Sequence, residues 1–145
     1  VVFCEYVATA QYITEGLRKL RRQWPVETTV EKHGGELDAI LQQFAPIANE
    51  VLPENRKPEE ELQVLIASRA IAEGYNLQDA SILVNYDMPW TVLQLAQRMG
   101  RILRPWHEPR DITIYKFVPS TMANDRIRHA RRWQDSIKKR RNAHR

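Results

Sequence analysis

Two short apolar runs joined by a polar turn, with a helical segment behind them, constrain the fold more than any other feature of the sequence. The first run is residues 62–66, and the second spans Ala80 to Tyr86. Their predominantly apolar character is typical of strands that are buried on both faces of a parallel sheet. Polar residues gather in the turn after the first run and in the helix after the second. Because ligands bind at strand ends in open parallel sheets, these two polar groups are candidates for a binding site.

The rest of the chain alternates predicted strands with predicted helices. Residues 1–4, 26–30 and 111–118 have the composition of strands. Between the first two, apolar residues recur at spacings of three and four, which predicts a helix packed on a sheet. These residues are Val7, Ala10, Ile13, Leu17 and Leu20. A second helix is predicted over residues 36–44, and its inward-facing residues are Leu37, Ile40, Leu41 and Phe44. The alternation predicts an α/β fold with a mostly parallel sheet and helices on both faces.

The length of 145 residues fits one domain. We expect residues 1–119 to form it, followed by a basic helical C-terminal extension over residues 120–145. Residues 45–61 contain three prolines and predict a surface excursion, since the apolar pattern resumes directly after them. No apolar run approaches the ~18 residues of a membrane-spanning helix. The single cysteine, Cys4, excludes an internal disulfide framework and is typical of a reducing interior.

Two sequence segments carry a resemblance to a known family. Residues 67–78 read ASRAIAEGYNLQ and are followed by LVNYDMPW at 83–90, and residues 97–104 read QRMGRILR. In this order they resemble the fifth and sixth motifs of superfamily-two helicases and translocases, most closely those of the Swi/Snf-like branch. The resemblance implies that the chain is the C-terminal RecA-like lobe of such an enzyme. It also implies an intracellular protein, cytoplasmic in a bacterium or nuclear in a eukaryote.

The resemblance implies a catalytic role for the second segment. It makes Arg101 and Arg104 arginine fingers and places Gln97 near the same phosphate. A guanidinium can bind two oxygens of a phosphoryl group at once, which suits the charge that develops during phosphoryl transfer. Thr91-x-x-Gln94 predicts a capping box at the start of this helix. The helix either continues through Gly100 or ends there. A solvated basic helix end, or salt bridges to Asp87 or Glu73, is the plainer interpretation of the arginines.

Other residues receive roles from the same resemblance. It places Gly74 and Asn76 at the nucleotide, and Ser68 and Arg69 on the phosphodiester backbone of a nucleic acid. His33 and Gly34 resemble a turn of the family that contacts the same backbone. An ordinary tight turn is the alternative in both places, with Asn76 capping a neighbouring element. For the extension, we expect Lys138, Lys139, Arg140 and Arg141 to contact nucleic acid, with a solvated helix as the alternative.

The sequence contains no G-x-x-x-x-G-K-[ST] phosphate loop, and its four histidines do not form a metal cluster. The family resemblance therefore implies that ATP and Mg²⁺ are held mainly by a preceding N-terminal lobe of the same protein. The implied partner is nucleic acid, with DNA favoured over RNA, and not a membrane. A stand-alone nucleic-acid-binding module without an ATPase role is the alternative function.

Overall fold

The computed structural model describes residues 1–68, 74–87, 89 and 91–117. The strands in this part of the chain are β1 (Val2–Phe3), β2 (Val26–Thr28), β3 (Val64–Ala67), β4 (Ile82–Asn85) and β5 (Thr113–Lys116). Its α-helices are α1 (Val7–Leu20), α2 (Gly34–Phe44) and α3 (Val92–Gly100). The predicted extension over residues 120–145 lies outside the described residues.

The five strands form one sheet in the order β2-β3-β1-β4-β5, and every neighbouring pair is parallel. Val2 of β1 lies opposite Ile66 of β3 on one side and Val84 of β4 on the other. A central strand followed by crossovers to both sides is the arrangement expected of a doubly wound sheet. The sheet confirms the predicted α/β class.

The side chains of the strands alternate between two hydrophobic clusters, one on each face of the sheet. Phe3, Leu65 and Leu83 belong to one cluster together with residues of α2 and Ile102, which follows α3. Ile66 belongs to the other cluster, which Ala10 of α1 joins. Helices therefore cover both faces, as the alternation of elements predicts. The four inward-facing residues of the second helix, Leu37, Ile40, Leu41 and Phe44, are buried as expected.

The apolar stripe predicted for α1 is confirmed in the middle of the helix and wrong at both ends. Ala10 is fully buried, and Ile13 and Leu17 pack against the cluster that it joins. Val7 is 48% exposed and Leu20 is 79% exposed. The strands of the sheet are only 2 to 4 residues long, so a 14-residue helix extends past them at both ends. Periodicity alone does not reveal where the supporting surface stops.

The last strand, β5, is shorter and more exposed than the alternating strand predicted over 111–118. All four of its residues are exposed, including Ile114 and Tyr115. The strand lies at the edge of the sheet and pairs with β4. Edge position explains the exposure, because the alternating pattern predicts burial only where a layer packs on the strand.

The excursion between α2 and β3 is ordered by bonds to a distant segment. Two 3₁₀ turns, Pro53–Asn55 and Pro58–Glu60, shape its second half. At its start, the backbone N–H groups of Ile47 and Ala48 donate to the Asp79 carboxylate, each at 2.8 Å. The excursion is therefore fastened to the segment that precedes β4.

Among the described residues, no helix combines the length and apolarity that crossing a bilayer requires.

Candidate functional site

Helix α3 positions the candidate arginines by where it begins and ends. Thr91 Oγ1 accepts from the Gln94 N–H at 3.1 Å, and Gln94 Oε1 accepts from the Thr91 N–H at 3.2 Å. This reciprocal pair is the predicted capping box. The helix ends at Gly100. Of the two possibilities that the sequence left open, the structure therefore has the second, with Arg101 and Arg104 beyond the helix.

The end of α3 is bonded to the segment that holds the candidate nucleotide residues. The Leu77 N–H donates to the Arg101 carbonyl oxygen at 3.3 Å. Leu77 and Ile102 are both fully buried in the same hydrophobic cluster. Two segments that lie more than 20 residues apart in the sequence thus meet in one place. The structure brings the two predicted motifs together through backbone bonding and shared packing.

Arg104 is the candidate finger with the best-defined contacts. Its Nη1 donates to Asn76 Oδ1 at 2.5 Å, and its Nε donates to the Gly100 carbonyl oxygen at 3.2 Å. Neither of these two Arg104 bonds reaches Asp87, one of the salt-bridge partners that the sequence offered. The Asp87 carboxylate instead accepts from the Glu5 N–H at 3.0 Å. Glu73, the other candidate partner, lies outside the described residues.

The remaining candidates of this group lie close in the sequence to Asn76 or to Arg104. Gly74, two residues before Asn76, has a φ of +99°, a conformation that other residues rarely adopt. Gln97 and Arg101 are both partly exposed near the end of α3. We refer to Gly74, Asn76, Gln97, Arg101 and Arg104 as the arginine site. It combines two guanidinium groups with side-chain amides, a set that suits a phosphorylated ligand.

A second group of candidates lies at the carboxyl ends of β2 and β3. Ser68 directly follows β3 and is 5% exposed, and its N–H donates to Thr29 Oγ1 at 3.3 Å. His33 precedes α2 and is exposed, and Gly34 opens the helix with a φ of +51°. His33 holds the N-cap position and makes no side-chain capping bond, so it leaves the first N–H groups of α2 to other acceptors. Of the other predicted contacts, Arg69, Lys138, Lys139, Arg140 and Arg141 lie outside the described residues.

The two groups of candidates are held by different contacts, Ser68 by Thr29 after β2, and Asn76 by Ala48 after α2 and by Arg104 after α3. The chain leaves the carboxyl end of β3 at Ser68 and must reach the amino end of β4 at Ile82, because the two strands are parallel to β1. Asn76 lies on this return path and bonds to Ala48, just after α2. The sequence placed both polar groups at strand ends and could not show these partners.

A buried ionic cluster beside the arginine site was missed in the sequence. Arg98 is 2% exposed, and its Nη2 donates to Glu5 Oε2 at 2.9 Å. Its Nη1 donates to Asn85 Oδ1 at 3.3 Å and to the Asp87 carbonyl oxygen at 3.1 Å. Burial lowers the pKa of Arg98 from its ordinary value, and the charge of Glu5 opposes this effect. The cluster ties α3 to the ends of β1 and β4.

A signal for Arg98 was present in the sequence. Arg98 stands three residues after Leu95 and four before Ile102, on the apolar stripe of the helix. A charge at such a position has to be paired if it is to be buried.

Within the described part of the chain, no group of three or more His, Cys, Asp or Glu side chains is placed to hold a metal ion.

Comparison with known proteins identifies similarity over most of the chain. A family model described as the helicase conserved C-terminal domain matches residues 1–105. An uncharacterized ATP-dependent helicase, YqhH of Bacillus subtilis (strain 168), is 44% identical over 66 residues, which are 46% of this chain. The chain spans 12% of the length of that relative.

Solved structures with the same fold include the C-terminal part of the Fun30 ATPase domain. It matches with a TM-score of 0.62 at 13% identity, over 88% of this chain and 37% of that one. A Dbp5 variant from S. cerevisiae, bound to RNA and ADP BeF3, matches with a TM-score of 0.62 at 18% identity. That match covers 95% of this chain and 31% of the other. These matches confirm the predicted RecA-like fold.

Proposed function

The chain belongs to the helicase conserved C-terminal domain family, and on that premise we propose that it is the C-terminal lobe of an ATP-dependent helicase or translocase of the Swi/Snf-like branch. In this proposal the arginine site faces an ATP cleft that is shared with an N-terminal lobe of the same protein. One observation carries the proposal: the end of α3 is bonded to the 74–77 segment, which gathers Arg101, Arg104 and Asn76.

The chemistry of the arginine site supports a role in phosphoryl transfer. Charge spreads over the phosphoryl oxygens in the transition state, and arginines in fixed positions stabilise it. Arg101 and Arg104 follow α3 directly, and the capping box and buried packing fix the two ends of this segment. We propose that both arginines act as fingers on the γ-phosphate, with Gln97 beside them and Gly74 and Asn76 lining the nucleotide.

The residues present fit one side of a nucleotide site. They supply guanidinium and amide donors, and the sequence contains no phosphate loop. We therefore propose that the N-terminal lobe holds the β-phosphate and Mg²⁺, and that the isolated 145-residue chain hydrolyses no ATP. Phosphate release by the purified chain should equal that of buffer, with and without nucleic acid. ATP turnover by the isolated chain that Arg101→Ala abolishes would contradict the proposal that the N-terminal lobe is required for hydrolysis.

The carboxyl edge of the sheet supports a nucleic-acid contact. The N–H groups at the start of α2 are donors for a phosphodiester oxygen, and the helix dipole favours negative charge there. We propose that His33, Gly34, Ser68 and Arg69 contact the nucleic-acid backbone. DNA is our preferred partner because of the Swi/Snf-like motifs. The Dbp5 variant of the same fold is bound to RNA, so duplex DNA and RNA should be compared directly.

The test is steady-state ATPase activity of the full-length protein with saturating nucleic acid. Arg101→Ala and Arg104→Ala should each lower kcat on the order of 10³-fold, with a smaller effect on nucleotide affinity. Lysine at either position should rescue poorly, because a point charge does not reproduce the planar fork.

Arg22→Ala is the matched control. Arg22 is exposed just after α1, and its replacement should leave turnover at the wild-type level. Thermal melting of each variant separates lost activity from lost folding. If both finger variants fold and turn over like the wild type, the proposed function is wrong.

A further inference from the structure

The side chain of Asn76 lies between two groups that fix which way its amide points. Its Nδ2 donates to the Ala48 carbonyl oxygen at 3.3 Å, and its Oδ1 accepts from Arg104 Nη1 at 2.5 Å. A carbonyl oxygen only accepts and a guanidinium only donates. The amide therefore has one orientation that satisfies both neighbours. Turning it over would place donor against donor and acceptor against acceptor.

Ala48 is itself held in place by the segment that carries Asn76. The Ala48 N–H donates to Asp79 Oδ1, and the Ile47 N–H donates to Asp79 Oδ2, both at 2.8 Å. The Asn49 side-chain amide donates to the Ala45 carbonyl oxygen at 2.8 Å and to the Asn76 carbonyl oxygen at 3.1 Å. Residues 45–49 and 76–79 are thus bonded through side chains from both segments. We call residues 45–49 the post-α2 turn.

On its other side, Asn76 restrains a side chain that is otherwise exposed. The two described bonds of Arg104 use Nε and Nη1, toward Gly100 and Asn76 respectively. An exposed arginine side chain loses rotamer freedom when it is ordered, and this loss opposes binding. The bonds at Nε and Nη1, which lie on different edges of the guanidinium, supply part of that ordering before any ligand binds. Neither bond uses Nη2, so its N–H groups are left to donate to an anion.

We propose that Asn76 is a positioning residue for Arg104 and that it transmits the position of the post-α2 turn to that arginine. The inference rests on the proposed function and deepens it, because it names what orients one of the two fingers. Positioning Arg104 is a role separate from lining the nucleotide, because it depends on the two bonds that the Asn76 side chain already makes within the chain.

The experiment is a double-mutant cycle in the full-length protein, measured as kcat and KM for ATP with saturating nucleic acid. Asn76→Ala should lower kcat by about 10- to 100-fold, the range expected when a catalytic group is misplaced. In the Arg104→Ala background, Asn76→Ala should cost nothing further, because a positioning residue has no effect once its target is gone.

A second variant keeps the test valid if Asn76→Ala folds poorly. Asn76→Asp is isosteric and retains the acceptor for Arg104, but it loses the donor to Ala48 and adds a charge that competes with phosphate. Its turnover should also fall, and the fall should disappear in the Arg104→Ala background. Asp79→Asn weakens the bonds that hold Ile47 and Ala48 of the post-α2 turn. It should lower kcat less than Asn76→Ala does, and it should lower kcat no further in the Asn76→Ala background.

Asn55→Ala is the matched control. Asn55 is exposed on the same excursion, and its replacement should leave kcat unchanged. The inference is overturned if Asn76→Ala and Asn76→Asp turn over like the wild type while Arg104→Ala does not. It is also overturned if the losses from Asn76→Ala and Arg104→Ala multiply. If Arg101→Ala and Arg104→Ala are both silent, the proposed function fails first, and the inference fails with it.

Discussion

Arg98 and Glu5 form an ion pair across 93 residues of sequence, with 2.9 Å between Nη2 and Oε2 and side-chain exposures of 3% and 5%. The pair joins α3 to the end of the central strand, one turn before Arg101. Such a pair is not strong evidence of net stabilisation, because taking both charges out of water is costly. Removing only one of the two charges is strongly destabilising, because the other charge then stays buried without a partner.

The first prediction concerns this pair. Arg98→Ala and Glu5→Ala should each lower the free energy of unfolding by about 3–5 kcal/mol. The double variant Glu5→Leu with Arg98→Met should lose less than either single change, since neither residue leaves an unpaired charge. Urea unfolding followed by circular dichroism measures all three. Arg21→Ala, at an exposed position after α1, is the control. Single variants as stable as that control would contradict the buried-pair interpretation.

The capping box gives the second prediction. Thr91 Oγ1 accepts from the Gln94 N–H, so Thr91→Ala should lower the free energy of unfolding by about 1 kcal/mol. Thr9→Ala is the control, because Thr9 lies inside the first turn of α1, whose N-cap is Tyr6. The same urea titration applies. Equal effects of the two changes would show that the cap contributes nothing measurable.

The third prediction concerns the reactivity of Cys4. Its thiol is fully buried, and burial raises its pKa from 9.0 to about 12, with Asp87 adding to the rise and Arg98 opposing it. The thiolate is the reactive form. At pH 8 the native chain should therefore react with iodoacetamide at least about 10³-fold more slowly than the chain unfolded in guanidinium. Similar rates in both states, followed by mass spectrometry, would contradict the burial of this thiol.

The same shift has a consequence for stability. The unfolded thiol loses its proton near pH 9, whereas the folded thiol keeps it until about pH 12. Above pH 9 the folded state binds more protons than the unfolded state, so the contribution of Cys4 to stability falls as the pH rises toward 12. Cys4→Ala should remove this part of the alkaline dependence. Urea midpoints of the two proteins between pH 8 and pH 11 measure the difference.

The fourth prediction concerns the basic residues near the C-terminus. Replacing Lys138, Lys139, Arg140 and Arg141 by Ala should flatten the salt dependence of duplex DNA binding, by about 0.9 in the log–log slope for each phosphate that is no longer neutralised. Fluorescence anisotropy at several NaCl concentrations gives the slope. A triple control that replaces Lys19, Arg21 and Arg22 removes charge from the end of α1. If only the control changes the slope, the extension is not the surface that binds DNA.

The fold could be predicted from the sequence because its signals are local. The spacing of Leu37, Ile40, Leu41 and Phe44 follows from helix geometry, and these residues are buried as predicted. The capping box at Thr91 joins residues three apart and forms as predicted. Apolar strands alternating with helices imply a parallel sheet, because a parallel pair requires a crossover connection. The sequence could not show how far the sheet supports a helix, and Val7 and Leu20 are exposed for that reason.

The sequence by itself determined the elements, the parallel α/β class and the two motifs that identify the family. Tertiary structure alone decided which of their residues meet. Arg98 pairs with Glu5, and Asn76 bonds to both Ala48 and Arg104, across separations of 93 and 28 residues. Helix periodicity and capping act over three or four residues, so they carry no information about such partners. These contacts depend on strand order and on the path between β3 and β4, which form only when the whole sheet assembles.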